Sequence, residues 1–557
     1  MRVTQAIAAA IKKEGTELLL AYPVNPIIEA CAEVDIKPII VRQERTGIHM
    51  ADAYSRLHSG RKVGVFACQN GPGTENAFGG IAQAYGESVP LVFLPGGMPR
   101  GQVGYHPNFN AFLNFQHITK SAEQLNNPAT VWEAIRRAFG QARNGRPGPS
   151  LLEVPGDVMQ EEAPEFNYVP TPVVKSGPNP TDVDEVARVL IEAERPIIYA
   201  GQGVHYARAF DELKQLAELL EIPVTTSLEG KSSFPENHPL ALGSGGAANP
   251  APVAYHVQDA DVVFGIGASF SRTGFGIQWP QTGKTYIHAT NDALDIGKDV
   301  PASYALLGDA GLTLRALVAA VSDRLGGKPR GRMESVVSRI KTQKEPWLQQ
   351  WMPKLTSNDT PINPYRVIWD MMHTLDIPNT VITHDAGSPR DQLSPFWEAT
   401  APQSYIGWGK TTQLGYGLGL AMGAKLAQPD KLCINVWGDA AIGMTGMDFE
   451  TAARNSIPIM SILFNNFSMA MELPVMALST ERFRSTDISG NYADFAKALG
   501  GYGERITDPN EVIPALKRGV QQTKDGRPVL LEFITQKEIE YSLRRGATNL
   551  PPRPAGA

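Results

Sequence analysis

The chain has 557 residues, too many for one hydrophobic core, so we expect two to four domains. Its 42% apolar and 19% charged residues are ordinary for a globular protein. A formal net charge of −6 provides no electrostatic attraction for nucleic acid. The composition therefore favours a small-molecule partner and no nucleic acid.

The first residues, MRVTQAIAAAIKKEGTE, predict an amphipathic helix, because charged residues interrupt a single apolar stripe. We therefore expect no signal peptide and a cytoplasmic protein. No run of about eighteen apolar residues occurs, so we expect no membrane-spanning segment. Cys31, Cys68 and Cys433 lie far apart and form no CxxC motif, which argues against a zinc site or a disulfide framework.

Short β-rich runs alternate with helical stretches in three successive blocks of the chain. The runs are ELLLAY, KPIIVRQ, KVGVFAC, PLVFLPG and SLLEVPG in residues 1–162; RPIIYAG, IPVTTS, DVVFGIG and TYIHAT in 183–328; and TVITHDAG, LCINVWGD, IMSILFNN and PVLLEFI in 360–545. This alternation is typical of parallel sheets with crossover helices and predicts an α/β protein with three doubly wound domains. Residues 163–182 and 329–359 are predicted linkers, and residues 546–557 a loosely attached tail.

An acid and an amide follow two apolar runs of the third block. Asp439 ends LCINVWGD, and Asn466, 27 positions later, ends IMSILFNN, a spacing that allows a crossover helix and a returning strand. Ligands bind beyond the carboxyl ends of parallel strands, and carboxylate and amide oxygens suit Mg²⁺ or Ca²⁺. Gly438 and Ala440 would let the backbone approach a phosphate, and a helix from near Ala441 would offer free N–H groups. A capping aspartate and an Asn-Asn turn are the alternative interpretation.

The GDA motif followed at this spacing by NN resembles the fingerprint of enzymes that depend on thiamine diphosphate. The resemblance implies that Asp439, Asn466 and the main-chain carbonyl of Ser468 hold the Mg²⁺ ion that anchors the diphosphate. It also implies that Met469, Ala470 and Met471, which follow the metal loop, line the pocket.

The segment PIIVRQERTGIHMADAYSR resembles the family's segment after its second strand, where the cofactor-activating glutamate falls on Glu44. In that family a carboxyl group hydrogen-bonds N1′ of the aminopyrimidine so that the thiazolium can lose its C2 proton. A glutamate buried against an apolar ring has a raised pKa, which suits proton exchange. The alternative is an acid at a helix start, paired with Arg42 and Arg45.

Residues 68–96, CQNGPGTENAFGGIAQAYGESVPLVFLPG, match a further family pattern and imply that Gly73 and Asn76 form a loop at a strand end. In HDAGSPR, Gly387 and Ser388 occupy the place of a loop that touches the diphosphate.

Residues 405–427, YIGWGKTTQLGYGLGLAMGAKLA, resemble the family segment that bends the cofactor. The resemblance implies that Leu414 is the bulky residue between the two cofactor rings and that the Thr412 carbonyl meets the 4′-amino group. A core leucine is the alternative for Leu414. His106, in the loop 100–120, falls nearest the position above the reacting carbon, with a surface histidine as the alternative.

The resemblance covers essentially the whole chain, and acetolactate-synthase-like proteins are its nearest pattern. It implies a thiamine-diphosphate- and Mg²⁺-dependent lyase or carboligase for a 2-oxo acid or 2-hydroxy-carbonyl substrate. It also implies a site between two chains, with Glu44 from one facing Asp439 and Asn466 of the other. We therefore expect a homodimer or a tetramer.

Two alternatives remain open at this point. The segment ASFSRTGFG lacks the paired aspartates of synthases that hold FAD, so FAD is not favoured. A 2-hydroxyacyl-CoA lyase or an oxalyl-CoA decarboxylase-type enzyme would fit that absence, with Arg544 and Arg545 facing a CoA phosphate. A non-catalytic regulatory homologue is the second alternative, and the presence of Glu44 counts against it.

Overall fold

A computed structural model describes residues 1–544, so Arg545 and the predicted tail 546–557 lie outside the described residues. Three six-stranded sheets follow one another along the chain, and their strands pair in parallel throughout. The predicted α/β fold with three doubly wound parallel-sheet domains is confirmed. Each sheet lies inside one of the predicted ranges 1–162, 183–328 and 360–545, whose limits stay predictions.

The first sheet has the strand order β2-β1-β3-β4-β6-β5. Its strands are β1 (Leu18–Tyr22), β2 (Lys37–Ile40), β3 (Gly64–Cys68), β4 (Leu91–Gly97), β5 (Ser121–Gln124) and β6 (Pro149–Pro155). The helices are α1 (Val3–Lys13), α2 (Asn25–Glu33), α3 (Glu44–Leu57), α4 (Pro72–Gly86), α5 (Ala111–Phe115) and α6 (Val131–Arg143).

The central sheet has the order β12-β11-β10-β7-β8-β9. Its strands are β7 (Ile197–Ala200), β8 (Val224–Thr226), β9 (Ala241–Ser244), β10 (Val262–Ile266), β11 (Thr285–Thr290) and β12 (Ala302–Leu307). The helices are α7 (Pro180–Glu192), α8 (Gly203–Ala207), α9 (Phe210–Leu220), α10 (Ala251–Asp259) and α11 (Ala310–Leu325).

The third sheet has the order β14-β13-β15-β16-β18-β17, the same pattern as the first. Its strands are β13 (Thr380–His384), β14 (Tyr405–Ile406), β15 (Leu432–Gly438), β16 (Met460–Asn465), β17 (Tyr502–Ile506) and β18 (Val529–Ile534). Between the second and third sheets lies α12 (Met333–Leu355). The remaining helices are α13 (Pro364–Thr374), α14 (Ser388–Leu393), α15 (Tyr416–Ala427), α16 (Asp439–Thr445), α17 (Phe449–Arg454), α18 (Ala477–Phe483), α19 (Tyr492–Ala498) and α20 (Val512–Lys524).

Each sheet has a point where the chain reverses its direction of winding: between β1 and β3, between β7 and β10, and between β13 and β15. Loops leave in opposite directions at such a point and open a crevice beyond the strand ends, where α/β proteins bind ligands. The third of these points lies where the sequence predicts the diphosphate-binding site.

The segment 329–359, a predicted linker, is mostly the helix α12. Met333 and Val336 near its start pack on the central core, whereas Trp347, Trp351 and Leu355 belong to the core of the third domain. The apolar residues recur at helical spacing, but the charged residues between them conceal the pattern in the sequence. In the other predicted linker, residues 163–179 contain no helix or strand.

The first and third domains share one core. Ile48 and Met50 of α3 and Leu420 and Met422 of α15 are fully buried in the same apolar cluster, so these two helices join the domains face to face. Along residues 1–544, none of the helices combines the length and apolar character needed to cross a membrane.

Candidate active site

A cavity lies at the β13/β15 reversal point of the third sheet, beyond the strand ends. Most of the predicted cofactor and metal residues of the third block line it: Gly387, Ser388, Leu414, Gly438, Asp439, Ala440, Ala441, Asn466, Ser468, Met469, Ala470 and Met471. They come from four separate stretches of the sequence. The structure therefore brings together residues that sequence patterns identified independently.

Asp439 is the first residue of α16, directly after β15 ends at Gly438. Its side chain is almost completely buried, and its carboxylate accepts hydrogen bonds from the N–H groups of Ala440 (2.9 Å) and Ser468 (3.1 Å). Burial penalises the charged form and raises the pKa of Asp439 to about 6, although these N–H groups act in the opposite direction. A cation at this carboxylate would stabilise the charged form.

Two polar side chains next to Asp439 have buried oxygens that find no hydrogen-bond partner among residues 1–544. They are Oδ1 of Asn466 and Oγ of Ser468. Buried polar atoms in proteins are nearly always satisfied, so unpaired oxygens beside a carboxylate suit a hard cation that takes oxygen ligands. Among residues 1–544, no group of three or more His, Cys, Asp or Glu side chains could hold a metal. The predicted Mg²⁺ site, with one carboxylate, one amide and one carbonyl, needs no such group.

Gly387 caps α14 with a φ of 82° and a ψ of −145°, a conformation that favours glycine. A Cβ atom there would meet no atom within 4 Å, so the backbone faces open space where a phosphate would fit. The hydroxyls of Ser388 and Tyr541 lie 2.7 Å apart.

Asp385 supports this site without lining the cavity, and the sequence interpretation missed it. It is fully buried, and its carboxylate accepts N–H bonds from Ala386 (2.8 Å), Gly415 (2.9 Å) and Gly417 (2.9 Å). It thereby ties the Gly387 loop to the residues that follow Leu414. Burial raises its pKa to about 6. Its position at the end of TVITHDAG, on the same sheet edge as Asp439, was the available signal.

Leu414 is half-buried, lines the cavity and packs against the core shared by the first and third domains. Thr412 is also half-buried but lies outside the lining of this cavity.

Glu44 is the first residue of α3 and is 3% exposed. Asn76 donates a hydrogen bond from Nδ2 to Glu44 Oε2 over 3.2 Å. A Cβ atom on Gly73 would lie 3.2 Å from Glu44 Oε1, so this glycine leaves room beside the carboxyl group. Burial raises the pKa of Glu44, and the charge of Asp448 acts in the same direction. Gly73 and Asn76 therefore do not form the predicted loop: the helix already begins at Pro72, so both lie in the first two turns of α4, and from there they adjoin Glu44.

Glu44 opens into a second cavity, which it lines together with Asn76, Met444, Met447 and other residues. Helix α16 lies between the two cavities: its first residues line the Asp439 cavity, and its last residues line the Glu44 cavity. Within one chain, the structure therefore does not bring Glu44 into the cavity of Asp439 and Asn466.

His106 is exposed on the loop that follows β4 and lines neither of these two cavities. Arg544 lies 3.3 Å from Asp391 and donates from Nη2 to the Met471 sulfur over 3.3 Å. Arg544 therefore shares Asp391 with the buried Arg390, whose Nε lies 2.7 Å from the same carboxylate. Arg545 lies outside the described residues.

A further cavity lies at the β7/β10 reversal point of the central sheet. Gly201, Gly203 and Gly267 line it together with residues of the other two domains, Arg146 and Lys410 among them. The sequence argument against FAD stays a prediction.

Comparison with known proteins identifies the three domains in chain order. Residues 1–124 match the thiamine pyrophosphate enzyme N-terminal TPP binding domain, residues 183–317 the central domain, and residues 385–533 the C-terminal TPP binding domain.

Curated relatives match along almost the whole chain. A probable acetolactate synthase large subunit of Methanocaldococcus jannaschii is 32% identical over 96% of this chain and 92% of the relative. The acetolactate synthase large subunit of Parasynechococcus marenigrum is 31% identical over 99% and 89%. The acetolactate synthase isozyme 3 large subunit of Escherichia coli is 27% identical over 95% and 94%. With its fold and its cavity, the chain belongs to the thiamine pyrophosphate enzymes and is a thiamine-pyrophosphate-dependent enzyme most like acetolactate synthase.

Proposed function

We propose that the protein is a Mg²⁺-dependent carboligase that joins two 2-oxo acid units with loss of CO₂, as an acetolactate synthase does. The observation that carries the proposal is the convergence of four sequence segments on the cavity at the β13/β15 reversal point, where Asn466 Oδ1 has no hydrogen-bond partner in the described part of the chain. The similarity to acetolactate synthases supports the choice of substrate class.

Asp439, Asn466 and the carbonyl of Ser468 would hold Mg²⁺. The side chains of Asp439 and Asn466 stand at the ends of the neighbouring parallel strands β15 and β16, which places both on one edge of the sheet. The backbone at Gly387, Gly438 and Ala440 would face the diphosphate, because glycine and alanine leave the N–H groups accessible.

Bound thiamine diphosphate supplies a nucleophilic carbon and an electron sink. The protein's part is to hold the cofactor and to manage one proton. Burial favours the protonated form of Glu44, and the bond from Asn76 fixes one of its oxygens, so the carboxyl group can exchange a proton with N1′ of the aminopyrimidine. Leu414 would pack against the bound cofactor, and the Thr412 carbonyl would accept a hydrogen bond from the 4′-amino group.

Because α16 separates the Glu44 cavity from the Asp439 cavity, a complete site needs Glu44 from a second chain. Exposed apolar side chains lie at the cavity of Glu44. Met444 and Met447 line this cavity and are each 46% exposed. Phe78 on α4 is also exposed. An apolar rim of this kind is typical of a surface that a partner covers. The minimal active unit is therefore a homodimer, which could pair further into a tetramer.

On the substrate side, Met469 and Met471 would form the wall of the pocket, and Ala470 leaves space between them. His106 would reach the reacting carbon only in the site completed by the second chain, because it lines neither cavity of its own chain.

The test is turnover of pyruvate by protein freed of metal and then supplied with thiamine diphosphate, with and without Mg²⁺. We expect acetolactate only when both are present. Asp439→Asn should weaken Mg²⁺-dependent cofactor binding at least about tenfold, because it removes a direct charged ligand. Asp430→Asn, an exposed aspartate just before β15, is the matched control and should bind normally.

Acyl-CoA thioesters form the comparison arm of the same experiment. Turnover of a thioester in place of pyruvate would contradict the substrate class. Equal cofactor affinity for Asp439→Asn and Asp430→Asn would contradict the metal site.

A further inference from the structure

The segment 409–413 runs just before Leu414 and contains Thr412, yet it forms neither helix nor strand. None of the backbone-to-backbone hydrogen bonds in turns and loops of residues 1–544 involves it. Its backbone groups are bonded instead by two side chains of the first domain.

Gln83, on α4, bonds this segment at two points. Its Oε1 accepts from the N–H of Gln413 over 3.1 Å, and its Nε2 donates to the carbonyl of Thr411 over 3.3 Å. Such a bidentate amide holds a stretch of backbone much as a neighbouring strand would. The Thr412 peptide between these points is left without a bond to Gln83.

Glu87, the residue that follows α4, bonds the start of the segment. Its Oε1 accepts from the N–H groups of Gly409 (3.1 Å) and Lys410 (2.8 Å) and from Nε2 of Gln83 (3.1 Å). Glu87 is fully buried, which raises its pKa, and these N–H donors partly offset the cost of burial. A buried carboxylate with several backbone donors is a rigid anchor.

The face of α4 that carries Gln83 also fits the segment closely. A Cβ atom on Gly79, one turn before Gln83, would overlap the side-chain amide of Gln413, and one on Gly86 would lie 3.0 Å from Thr411 Cγ2. His49 of α3 is fully buried, and burial lowers its pKa to about 3. It is therefore neutral and donates from Nε2 to Gln413 Oε1 over 3.0 Å.

We propose that Gln83 and Glu87 are positioning residues that hold segment 409–413 so that the Thr412 carbonyl and Leu414 face the aminopyrimidine of the cofactor. The inference rests on the proposed function, which assigns Thr412 and Leu414 to that ring. Neither Gln83 nor Glu87 touches the cofactor cavity; both act through the backbone of the segment. The first domain thus shapes the cofactor site of the third domain in its own chain, in addition to supplying Glu44 to the partner's site.

The first measurement is amide hydrogen exchange in the apoprotein, over peptides that cover residues 408–414. Gln83→Ala should speed exchange at Gln413, and Glu87→Ala at Gly409 and Lys410, because each change removes the acceptor of those amides. Glu87→Gln keeps an acceptor oxygen and should exchange like the wild type. Gln141→Ala, which removes an exposed glutamine on α6, is the matched control.

The second measurement is binding of thiamine diphosphate with Mg²⁺, followed by titration and by the near-ultraviolet circular dichroism of the bound aminopyrimidine. Gln83→Ala and Glu87→Ala should weaken binding and reduce kcat by about 10- to 100-fold, with little change in KM for pyruvate, because small misplacements of a positioning group have effects of this size. Glu87→Gln should keep both cofactor binding and kcat at the wild-type level. If Glu87→Ala does not fold, Gln83→Ala alone carries the test.

Unchanged exchange in both alanine variants would overturn the inference. Faster exchange with a wild-type dichroism signal and wild-type affinity would overturn it too, because the segment would then be held for another reason. If the wild type itself fails to bind thiamine diphosphate with Mg²⁺, the proposed function is wrong. The exchange data on the apoprotein still show whether Gln83 and Glu87 hold the segment, so the two failures can be told apart.

Discussion

At the scale of single residues, burial determines what the carboxyl groups can do. Within residues 1–544, Glu44 has one direct side-chain hydrogen-bond partner, Asn76, and burial keeps its pKa above the ordinary value of 4.5. Asp439 is equally buried but receives backbone N–H bonds and stands beside unpaired oxygens. The first environment suits proton exchange, and the second suits a cation.

Glu44→Gln tests the proton role. The amide keeps the size of the side chain and can still bond Asn76, but it cannot release or take up a proton. We expect kcat with pyruvate to fall about 100- to 10,000-fold, the usual contribution of a general acid or base, with cofactor affinity changed only slightly. Steady-state kinetics and cofactor titration measure the two effects.

The control for this change is Glu185→Gln, which removes an exposed carboxylate on α7 of the central domain. This variant should have the kcat and the cofactor affinity of the wild type. Full turnover in Glu44→Gln would show that Glu44 does not activate the cofactor.

The sequence predicted part of this site for clear physical reasons. Asp439 and Asn466 end strongly apolar strands, so the rule that ligands bind beyond strand ends was enough to place them together. Glu44 required the family resemblance, because its own surroundings in the sequence also fit a helix start. Gln83 and Glu87 carried no signal, since their partners lie more than 300 positions away in sequence.

At the scale of secondary structure, every strand that the sequence analysis missed is short or lies at the edge of a sheet. The missed strands are β5, β9, β12, β14 and β17, each at one end of its strand order. The four residues of β5, SAEQ, are all half-buried and carry no apolar run, and β14 has only two residues. Central strands are buried on both faces and read as continuous apolar runs, whereas edge strands do not.

The two predicted linkers should respond differently to a protease. Lys175 lies exposed in 163–179, which has no helix or strand, whereas α12 is a 23-residue helix whose Trp347 and Trp351 are buried in the core of the third domain. Proteases cut exposed, locally unfolding backbone. We expect trypsin to cut first after Lys175 and only later within α12, as shown by mass spectrometry of the fragments over time.

Lys175→Gln should remove the early fragment pair. Early cleavage at Lys344 or Lys354, inside α12, would contradict this expectation.

At the scale of the whole molecule, the two halves of the site lie on opposite sides of α16. A chain with Glu44→Gln and a chain with Asp439→Asn should each be inactive as a homodimer. A hybrid dimer of the two has one intact site if Glu44 and Asp439 come from different chains. We therefore expect a hybrid purified by two different tags to recover about half of the wild-type activity, as two-fold symmetry requires.

Unmixed samples of each variant, treated in the same way, are the control. An inactive hybrid, confirmed as a mixed dimer by native mass spectrometry, would place both residues in one site of the same chain and contradict the shared assembly.

Helix α4 has a consequence for how such a dimer binds its cofactor. One end of the helix holds Glu44 through Asn76, and the other end holds segment 409–413 through Gln83. In the proposed dimer these two ends contribute to different sites, so the 15-residue helix α4 of each chain contacts both sites. Cofactor binding at one site restricts the motion of this helix, and this changes the entropy cost of cofactor binding at the other site. Two chemically identical sites would then bind thiamine diphosphate with unequal affinities, and the symmetry of the empty dimer would be lost at half occupancy.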